Sequence, residues 1–161
     1  MSMPGFLEIN GESQGNIEGS CTKSGFENTI EILAFEHSVV IPYNNKTGIY
    51  TGIRSHKPIQ IQKEIDKSSP KLYQALCTGE NLTEMIFSWH RAHKAGKPEK
   101  FYSIELKNAT LVDISPWIQE RHDMKNDHLP HMEKVSIVYE KIRWIWVPDG
   151  GEFEDTWLTE T

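Results

Sequence analysis

Cysteine is scarce in this chain, long apolar runs are missing, and positive charge is not in excess. The 161 residues contain two cysteines, Cys21 and Cys77, which form no CxxC motif, so the sequence excludes a disulfide scaffold. No stretch approaches the ~20 apolar residues that span a bilayer. The first ten residues have neither the cationic nor the apolar segment typical of a Sec-type signal peptide. We therefore expect a protein that is made in the cytoplasm and has no stable membrane insertion.

Charge is unevenly distributed along the chain. Lys and Arg number 17 against 23 Asp and Glu, which gives a formal net charge of −6. Five of the acids, and no Lys or Arg, lie in residues 149–161, so residues 1–148 carry a net charge of −1. Nucleic-acid binding requires a cationic face, which this distribution does not offer. A nearly neutral body has little charge repulsion to oppose self-association.

Motifs for catalysis and cofactor binding are also absent from the sequence. It has no GxSxG elbow and no Gly-rich phosphate loop. His90 and His93 fall on a predicted strand and its loop, where a spacing of three places side chains on opposite faces. His122, His128 and His131 have neither an HExxH pattern nor a cysteine beside them. We therefore predict no enzyme activity, no catalytic residues, no cofactor and no metal.

Alternating apolar and polar residues predict a mainly β fold. The predicted strands cover 6–9, 29–41, 58–62, 82–92, 101–114 and 133–147. A short helix is predicted over about residues 69–78, with Ser69 as N-cap, Pro70 as first helical residue and Gly79 as the stop. Cys77 shares the apolar spacing of this helix and is expected in the core. The pattern predicts an antiparallel β-barrel formed from two sheets, with the helix at its flank.

Two connections are long for a compact domain. Residues 42–55 are rich in aromatic and β-branched side chains, which favours an extended hairpin, here named the arm, over a disordered linker. Residues 115–130 form the second predicted loop. The chain is divided into one domain, 1–148, and an acidic C-terminal tail, 149–161. Docking of the tail on a neighbouring subunit and disorder of the tail are both open.

A series of sequence strings resembles one known family in order and spacing. The strings are Gly5-Phe-Leu-Glu-Ile-Asn-Gly11, Gly52-Ile-Arg-Ser-His-Lys-Pro58, Asp66-Lys-Ser-Ser-Pro70, residues 101–114, and Val135-Ser-Ile-Val-Tyr-Glu-Lys-Ile-Arg-Trp144. Over roughly residues 4–147 they resemble the haemolysin-coregulated protein (Hcp) family, the tube subunit of bacterial type VI secretion systems. The run Arg-x-His-Lys-Pro followed by Asp-Lys-x-x-Pro is the specific part of this resemblance.

The resemblance implies a structural, non-enzymatic protein that assembles with itself into a hexameric ring. Stacked rings would form the inner tube of an injection apparatus, with a sheath, a baseplate and a spike protein as further partners. Effector proteins would be held in the lumen. The tube would be assembled in the cytoplasm and then secreted without a cleaved signal peptide.

Two sets of residues are candidates for contacts in such a tube. Ring stacking or subunit contact is assigned to the arm and the string that follows it: Tyr43, Asn44, Asn45, Thr47, Tyr50, Arg54, His56 and Lys57. For the last three, a structural role in which they end the arm and satisfy backbone carbonyls is also open. Glu36 and Ser38, midway along the predicted strand 29–41, are candidates for the lumen-facing surface.

Two other functions remain open at this stage. The chain could be a small monomeric β-barrel that binds a ligand in a pocket or catalyses hydrolysis. It could also be an Hcp-like carrier or chaperone for one effector rather than a bulk tube subunit.

Overall fold

The computed structural model describes residues 3–120, 122 and 130–158. In this part of the chain eleven strands and one helix follow one another. The strands are β1 (Gly5–Gly11), β2 (Gly15–Ile17), β3 (Ile30–Ile32), β4 (Ala34–Glu36), β5 (Val39–Val40), β6 (Ser55–His56), β7 (Ile59–Glu64), β8 (Leu82–Ala92), β9 (Pro98–Trp117), β10 (Met132–Trp146) and β11 (Gly151–Thr156). The helix α1 (Ser69–Thr78) lies between β7 and β8. The predicted mainly antiparallel β fold with one flanking helix is confirmed.

Nine strands form one antiparallel sheet, and seven of them follow one another in the order β2-β1-β8-β9-β10-β7-β4. Strand β3 pairs with β1, and β11 pairs with β10 beyond the end of β7. The segment that contains β3 and β4 connects the two sides of this sheet, because β3 pairs with β1 while β4 pairs with β7. Between them the Leu33 amide donates to the Gln62 carbonyl oxygen at 2.9 Å. Strands β5 and β6 form a separate two-stranded ladder.

The single strand predicted over 29–41 is divided into β3, β4 and β5. The chain changes pairing partner at Leu33, whose side chain is exposed, and changes again after Glu36. The predicted loop at 115–130 is shorter at its start, because β9 continues to Trp117, which pairs with Met132. His128 lies outside the described residues.

The core is filled by the inward faces of the strands. In β7 the side chains of Ile59, Ile61 and Lys63 are buried and alternate with more exposed residues, as period-2 spacing requires. The central strands contribute Met85, Phe87, Leu106, Ile137 and Ile142.

Helix α1 packs on this core through Leu72 and Ala75, which are both buried. Its N-cap is Ser68, one residue before the predicted cap, and it ends at Gly79, whose φ of +66° is the left-handed conformation that glycine adopts without strain. The expectation that Cys77 is a core residue is wrong. The thiol is exposed because the helix turns its Leu72 and Ala75 face inward.

A buried polar cluster fixes the start of the helix to the sheet. Lys63 and Glu133, on the paired strands β7 and β10, are each 1% exposed, and the Lys63 ammonium bonds the Glu133 carboxylate. Lys63 Nζ also donates to the Glu64 carbonyl oxygen at 2.9 Å and to Asp66 Oδ1 at 3.2 Å. Ser69 Oγ, in the first turn of α1, donates to Glu133 Oε1 at 2.8 Å. This Lys63–Glu133 cluster is satisfied within the chain, as buried charges must be.

Candidate assembly interface

The arm is a hairpin that projects from the β5–β6 ladder. Tyr43 and Tyr50 form an isolated antiparallel bridge. The Asn44 amide donates to the Ile49 carbonyl oxygen at 2.9 Å, and the Thr51 amide donates to the Pro42 carbonyl oxygen at 2.9 Å. The extended-hairpin prediction for this segment therefore agrees with its backbone pairing.

The turn at the tip of the arm is organised by Asn44. Its Oδ1 accepts from the amides of Lys46 at 2.8 Å and Thr47 at 3.2 Å, which is the local bonding that favours Asn in turns. Thr47 Oγ1 accepts from the Ile49 amide at 3.3 Å. Gly48 closes the turn with φ +71°. The side-chain oxygens of Asn44 and Thr47 therefore hold the shape of the turn, whereas Asn45 is exposed at the tip.

Large apolar side chains on the arm are exposed. The exposed fraction is 61% for Tyr43, 66% for Ile49, 70% for Tyr50 and 54% for Ile53. These four residues are named the arm patch. Apolar side chains gathered on a protruding element are typical of a protein contact surface. The arm patch is therefore available to a second protein chain.

The outgoing leg of the arm is fastened to β11. Arg54 Nε and Nη2 each donate to one oxygen of the Asp155 carboxylate at 2.6 Å, a bidentate pair. His56, 4% exposed, places Nε2 2.8 Å from Asp155 Oδ2. Lys57 is exposed, and its backbone amide donates to the Ser38 carbonyl oxygen at 3.1 Å.

The base of the arm continues inward to β10. The Tyr139 hydroxyl lies 2.6 Å from His56 Nδ1 and 2.8 Å from His37 Nε2. The Trp157 ring stacks on His56 with centroids 5.9 Å apart and meets Tyr139 edge-on at 4.9 Å. The arm base is the name used here for these residues together with Arg54 and Asp155.

Charge and burial shift the proton affinities in the arm base. Hydrogen bonding to Arg54 lowers the pKa of Asp155 to about 2, so this carboxyl is ionised throughout the neutral and mildly acidic range. Burial raises the pKa of Tyr139, and the charge of Asp155 raises it further. Burial lowers the pKa of His37, and the neighbouring His56 lowers it further.

The predicted contact residues differ in what their side chains do. Tyr43, Asn45 and Tyr50 are exposed on the arm, Asn44 and Thr47 are exposed there as well but also bond the turn, and Lys57 is exposed beyond it. Arg54 and His56 are bonded within the chain, to a carboxylate and a hydroxyl rather than to the backbone carbonyls considered above.

The two predicted lumen residues are exposed and lie near each other. Glu36 ends β4 opposite Gln60, and Ser38 follows two residues later. Together with Lys57 they border an open depression on the surface. No group of three or more His, Cys, Asp or Glu side chains within the described residues is arranged to hold a metal ion.

Asp155, Trp157, Tyr139 and His37 were not predicted as site residues. For Asp155 and Trp157 a signal was present, because Pro148-Asp149-Gly150 after a strand is a typical hairpin turn, which indicates that a further strand follows. Gly150 indeed has φ +70°, and β11 returns along β10. Residues 151–156 are therefore ordered as a strand of the sheet, which removes disorder as an alternative for that segment.

The fold and the site together define a mainly β protein with a hairpin arm that carries exposed apolar side chains. The chain belongs to the Hcp family: the family model described as "Type VI secretion system effector, Hcp" matches residues 6–146. The resemblance stated from the sequence is confirmed. As a member of this family it is, in general terms, a structural tube protein of the type VI secretion system.

Individual relatives agree with the family over nearly the whole chain. The "Major exported protein" of Pseudomonas aeruginosa is 36% identical over 166 residues, which cover 98% of this chain and 96% of that protein. A solved variant of Hcp1 from Escherichia coli EAEC 042 is 34% identical with a TM-score of 0.86, covering 97% of this chain and 99% of the other. A crystal structure of an Hcp protein is 30% identical with a TM-score of 0.90, covering 99% and 100%. Within the described residues, no helix is long and apolar enough to cross a membrane.

Proposed function

We propose that the chain is the subunit of a hexameric ring, and that rings stack through the arm into the inner tube of a type VI secretion apparatus. The arm patch is the observation that carries this proposal. Four large apolar side chains, each more than half exposed, occupy a hairpin whose backbone is already paired. A second copy of the chain that covered them would remove apolar area from water, which is the main driving force of association.

The attachment of the arm supports the same function. A closed ring uses head-to-tail contacts, in which an element of one subunit meets a different surface of the next. The arm base holds the arm on β10 and β11 before any partner arrives, so less conformational entropy is lost on binding. The nearly neutral net charge of residues 1–148 adds little repulsion between copies.

The remaining parts of the proposal concern the lumen and the other components. Glu36 and Ser38, exposed beside the depression near Lys57, are proposed to face the lumen and to contact small effector proteins. The spike, sheath and baseplate are the proposed partners of the tube. Export of the tube is proposed by analogy with the relative named "Major exported protein".

Light scattering after size-exclusion chromatography tests the ring. We expect about six times the subunit mass of 18.6 kDa, and annular particles with a central pore in negative stain. A single subunit mass at all concentrations would contradict the proposal and favour the monomeric ligand-binding or hydrolytic β-barrel. Rings that never stack, together with tight binding of one effector, would favour the carrier function.

A further inference from the structure

One hydroxyl group at the arm base joins both legs of the arm. His37 precedes β5 on the incoming leg, and His56 lies in β6 on the outgoing leg. The Tyr139 oxygen on β10 is within hydrogen-bond distance of both rings. The β5–β6 ladder itself has two residue pairs. This single oxygen therefore connects both legs of the arm to β10.

Residues of β10, β11 and the arm surround the imidazole rings of His37 and His56. Asp155 on β11 faces His56, and Arg54 on the arm bonds the same carboxylate. The aromatic neighbours given by the described residues are Trp157, which stacks on His56, and Trp144 of β10, which stacks on His37 at 6.4 Å. Glu36 and Lys57, next to the histidines in sequence, are exposed and border the same open depression as His37.

The hydrogen-bond donors and acceptors of His37, Tyr139 and His56 determine how many added protons the three side chains can hold. A carboxylate accepts only, so His56 donates from Nε2 to Asp155. With both rings neutral, the Tyr139 hydroxyl donates to His56 Nδ1 and accepts from His37 Nε2. One added proton on either ring keeps both hydrogen bonds, because the hydroxyl can reverse its direction if His56 becomes the second donor.

A second added proton does not leave every donor with an acceptor. Both rings then donate N–H groups to the Tyr139 oxygen, and the hydroxyl proton loses its acceptor. Two imidazolium charges are also brought together, and because His56 is buried and His37 half-buried, water screens the repulsion between them only in part. The incoming leg is the weaker attachment, because His37 has no carboxylate partner comparable to Asp155 among the described contacts.

We propose that His37, Tyr139 and His56 form a latch that holds the arm with up to one added proton and releases its incoming leg when the second is bound. The latch is a property of the subunit and does not depend on the proposed ring. The direction follows from His37: its pKa in the folded chain lies below the ordinary value of 6.5. The released form therefore takes up the proton more readily, and the attachment weakens as the pH falls below that value.

Hydrogen exchange followed by mass spectrometry tests the latch in the full chain. Peptides spanning residues 38–57 are compared at pH 7.5 and pH 5.0 after correction for the intrinsic exchange rates. We expect protection in these peptides to be lower at pH 5.0 than at pH 7.5 by about tenfold. Peptides from β8 are expected to keep their protection. Light scattering on the same samples records the assembled mass, so a change in the latch is distinguished from a failure to form rings.

Three variants decide whether the effect belongs to the latch. His37→Gln keeps a neutral donor and acceptor beside Tyr139 but cannot be charged, so protection should be independent of pH. Tyr139→Phe removes the shared oxygen, so residues 38–57 should be weakly protected at pH 7.5 already, with β8 peptides confirming the fold. His93→Gln changes an exposed histidine of another hairpin and should behave as the unmodified chain. Constant protection in the unmodified chain, or an equal loss in His37→Gln, would overturn the proposal.

Discussion

The Lys63–Glu133 cluster beneath α1 and the arm base both fasten one element to β10, but they differ in how their charge is held. Lys63 and Glu133 are almost completely buried and meet directly. In the arm base the ionised group, Asp155, is 14% exposed and its partner Arg54 is 36% exposed, while the buried members are the His56 imidazole and the Tyr139 hydroxyl.

Because of this difference, the Lys63–Glu133 cluster is a fixed attachment, whereas the attachment at the arm base can change with conditions. Removing a charge from a sealed pair leaves its partner buried without compensation. The same change at a partly exposed pair is softened by water, which screens the charge and can replace lost hydrogen bonds. We therefore expect the attachment of α1 to the sheet to stay the same under all mild conditions, whereas the attachment of the arm should vary with protonation.

The largest effect is expected from Glu133→Gln. The change leaves the Lys63 ammonium buried without the carboxylate it bonds, and Asp66 at 3.2 Å compensates in part. We expect the free energy of unfolding to fall by about 3 kcal/mol, the range for breaking one side of a buried pair. Urea denaturation monitored by circular dichroism measures it.

Glu140→Gln is the matched control, because it is the same substitution on the same strand at an exposed position. Its expected effect is within about 0.5 kcal/mol. Equal effects for the two variants would show that the Lys63–Glu133 cluster is not the fixed attachment of α1 to the sheet.

A smaller loss is expected from Asp155→Asn. The variant removes the charge that Arg54 and His56 both face, and hydrogen bonds to charged groups contribute about 1.5–3 kcal/mol. Because the pair is partly solvated, we expect a loss at pH 7 of about 1–2 kcal/mol. Glu154→Gln, one residue away and exposed, should lose less than about 0.5 kcal/mol.

The pH dependence of the stability loss in Asp155→Asn tests the same difference between the arm base and the Lys63–Glu133 cluster. The folded pKa of Asp155, about 2, lies below the ordinary value of 3.8, so its contribution is complete above about pH 5 and is progressively lost as the pH falls through 3.8 towards 2. The difference in unfolding free energy between the unmodified chain and the variant should therefore shrink over this interval. A difference that stays constant from pH 5 to pH 2.5 would contradict the role given to the carboxylate.

Local signals explain which elements could be predicted from the sequence. Pro70 and Gly79 mark the two ends of α1, and strand β8 has the predicted bounds because turn residues flank the segment on both sides. The division of residues 29–41 could not be predicted in this way. Leu33 sits where the chain leaves β1 for β7, and that exchange of partner depends on strands that are distant in the sequence.

The candidate site likewise has one part that could be predicted from the sequence and one part that could not. The arm was predictable because its side-chain composition is local. Its attachment was not, since Arg54 and Asp155 are 101 residues apart and neither carries a signal for the other. The acidic composition of residues 149–161 obscured β11, although the hairpin turn at 148–150 was visible in the sequence.

The smallest effect on the subunit, and a large one on assembly, is expected from Ile49→Ser. The side chain is 66% exposed on the arm, so its loss should change the free energy of unfolding by less than about 0.5 kcal/mol. If the arm patch is the contact surface, the same change replaces an apolar contact between copies by a hydroxyl, and the assembled mass at a given concentration should fall. Deleting residues 44–50 should have the same effect more strongly.

Ile118→Ser is the control for surface exposure, because this isoleucine is 57% exposed at the end of β9, outside the arm. Light scattering over a dilution series should show dissociation for Ile49→Ser at concentrations where Ile118→Ser remains assembled. Equal dissociation of the two would mean that exposed apolar area in general, rather than the arm patch, holds the copies together. Full assembly of both, and of the 44–50 deletion, would remove the arm from the interface while leaving the arm base and its latch as properties of the subunit.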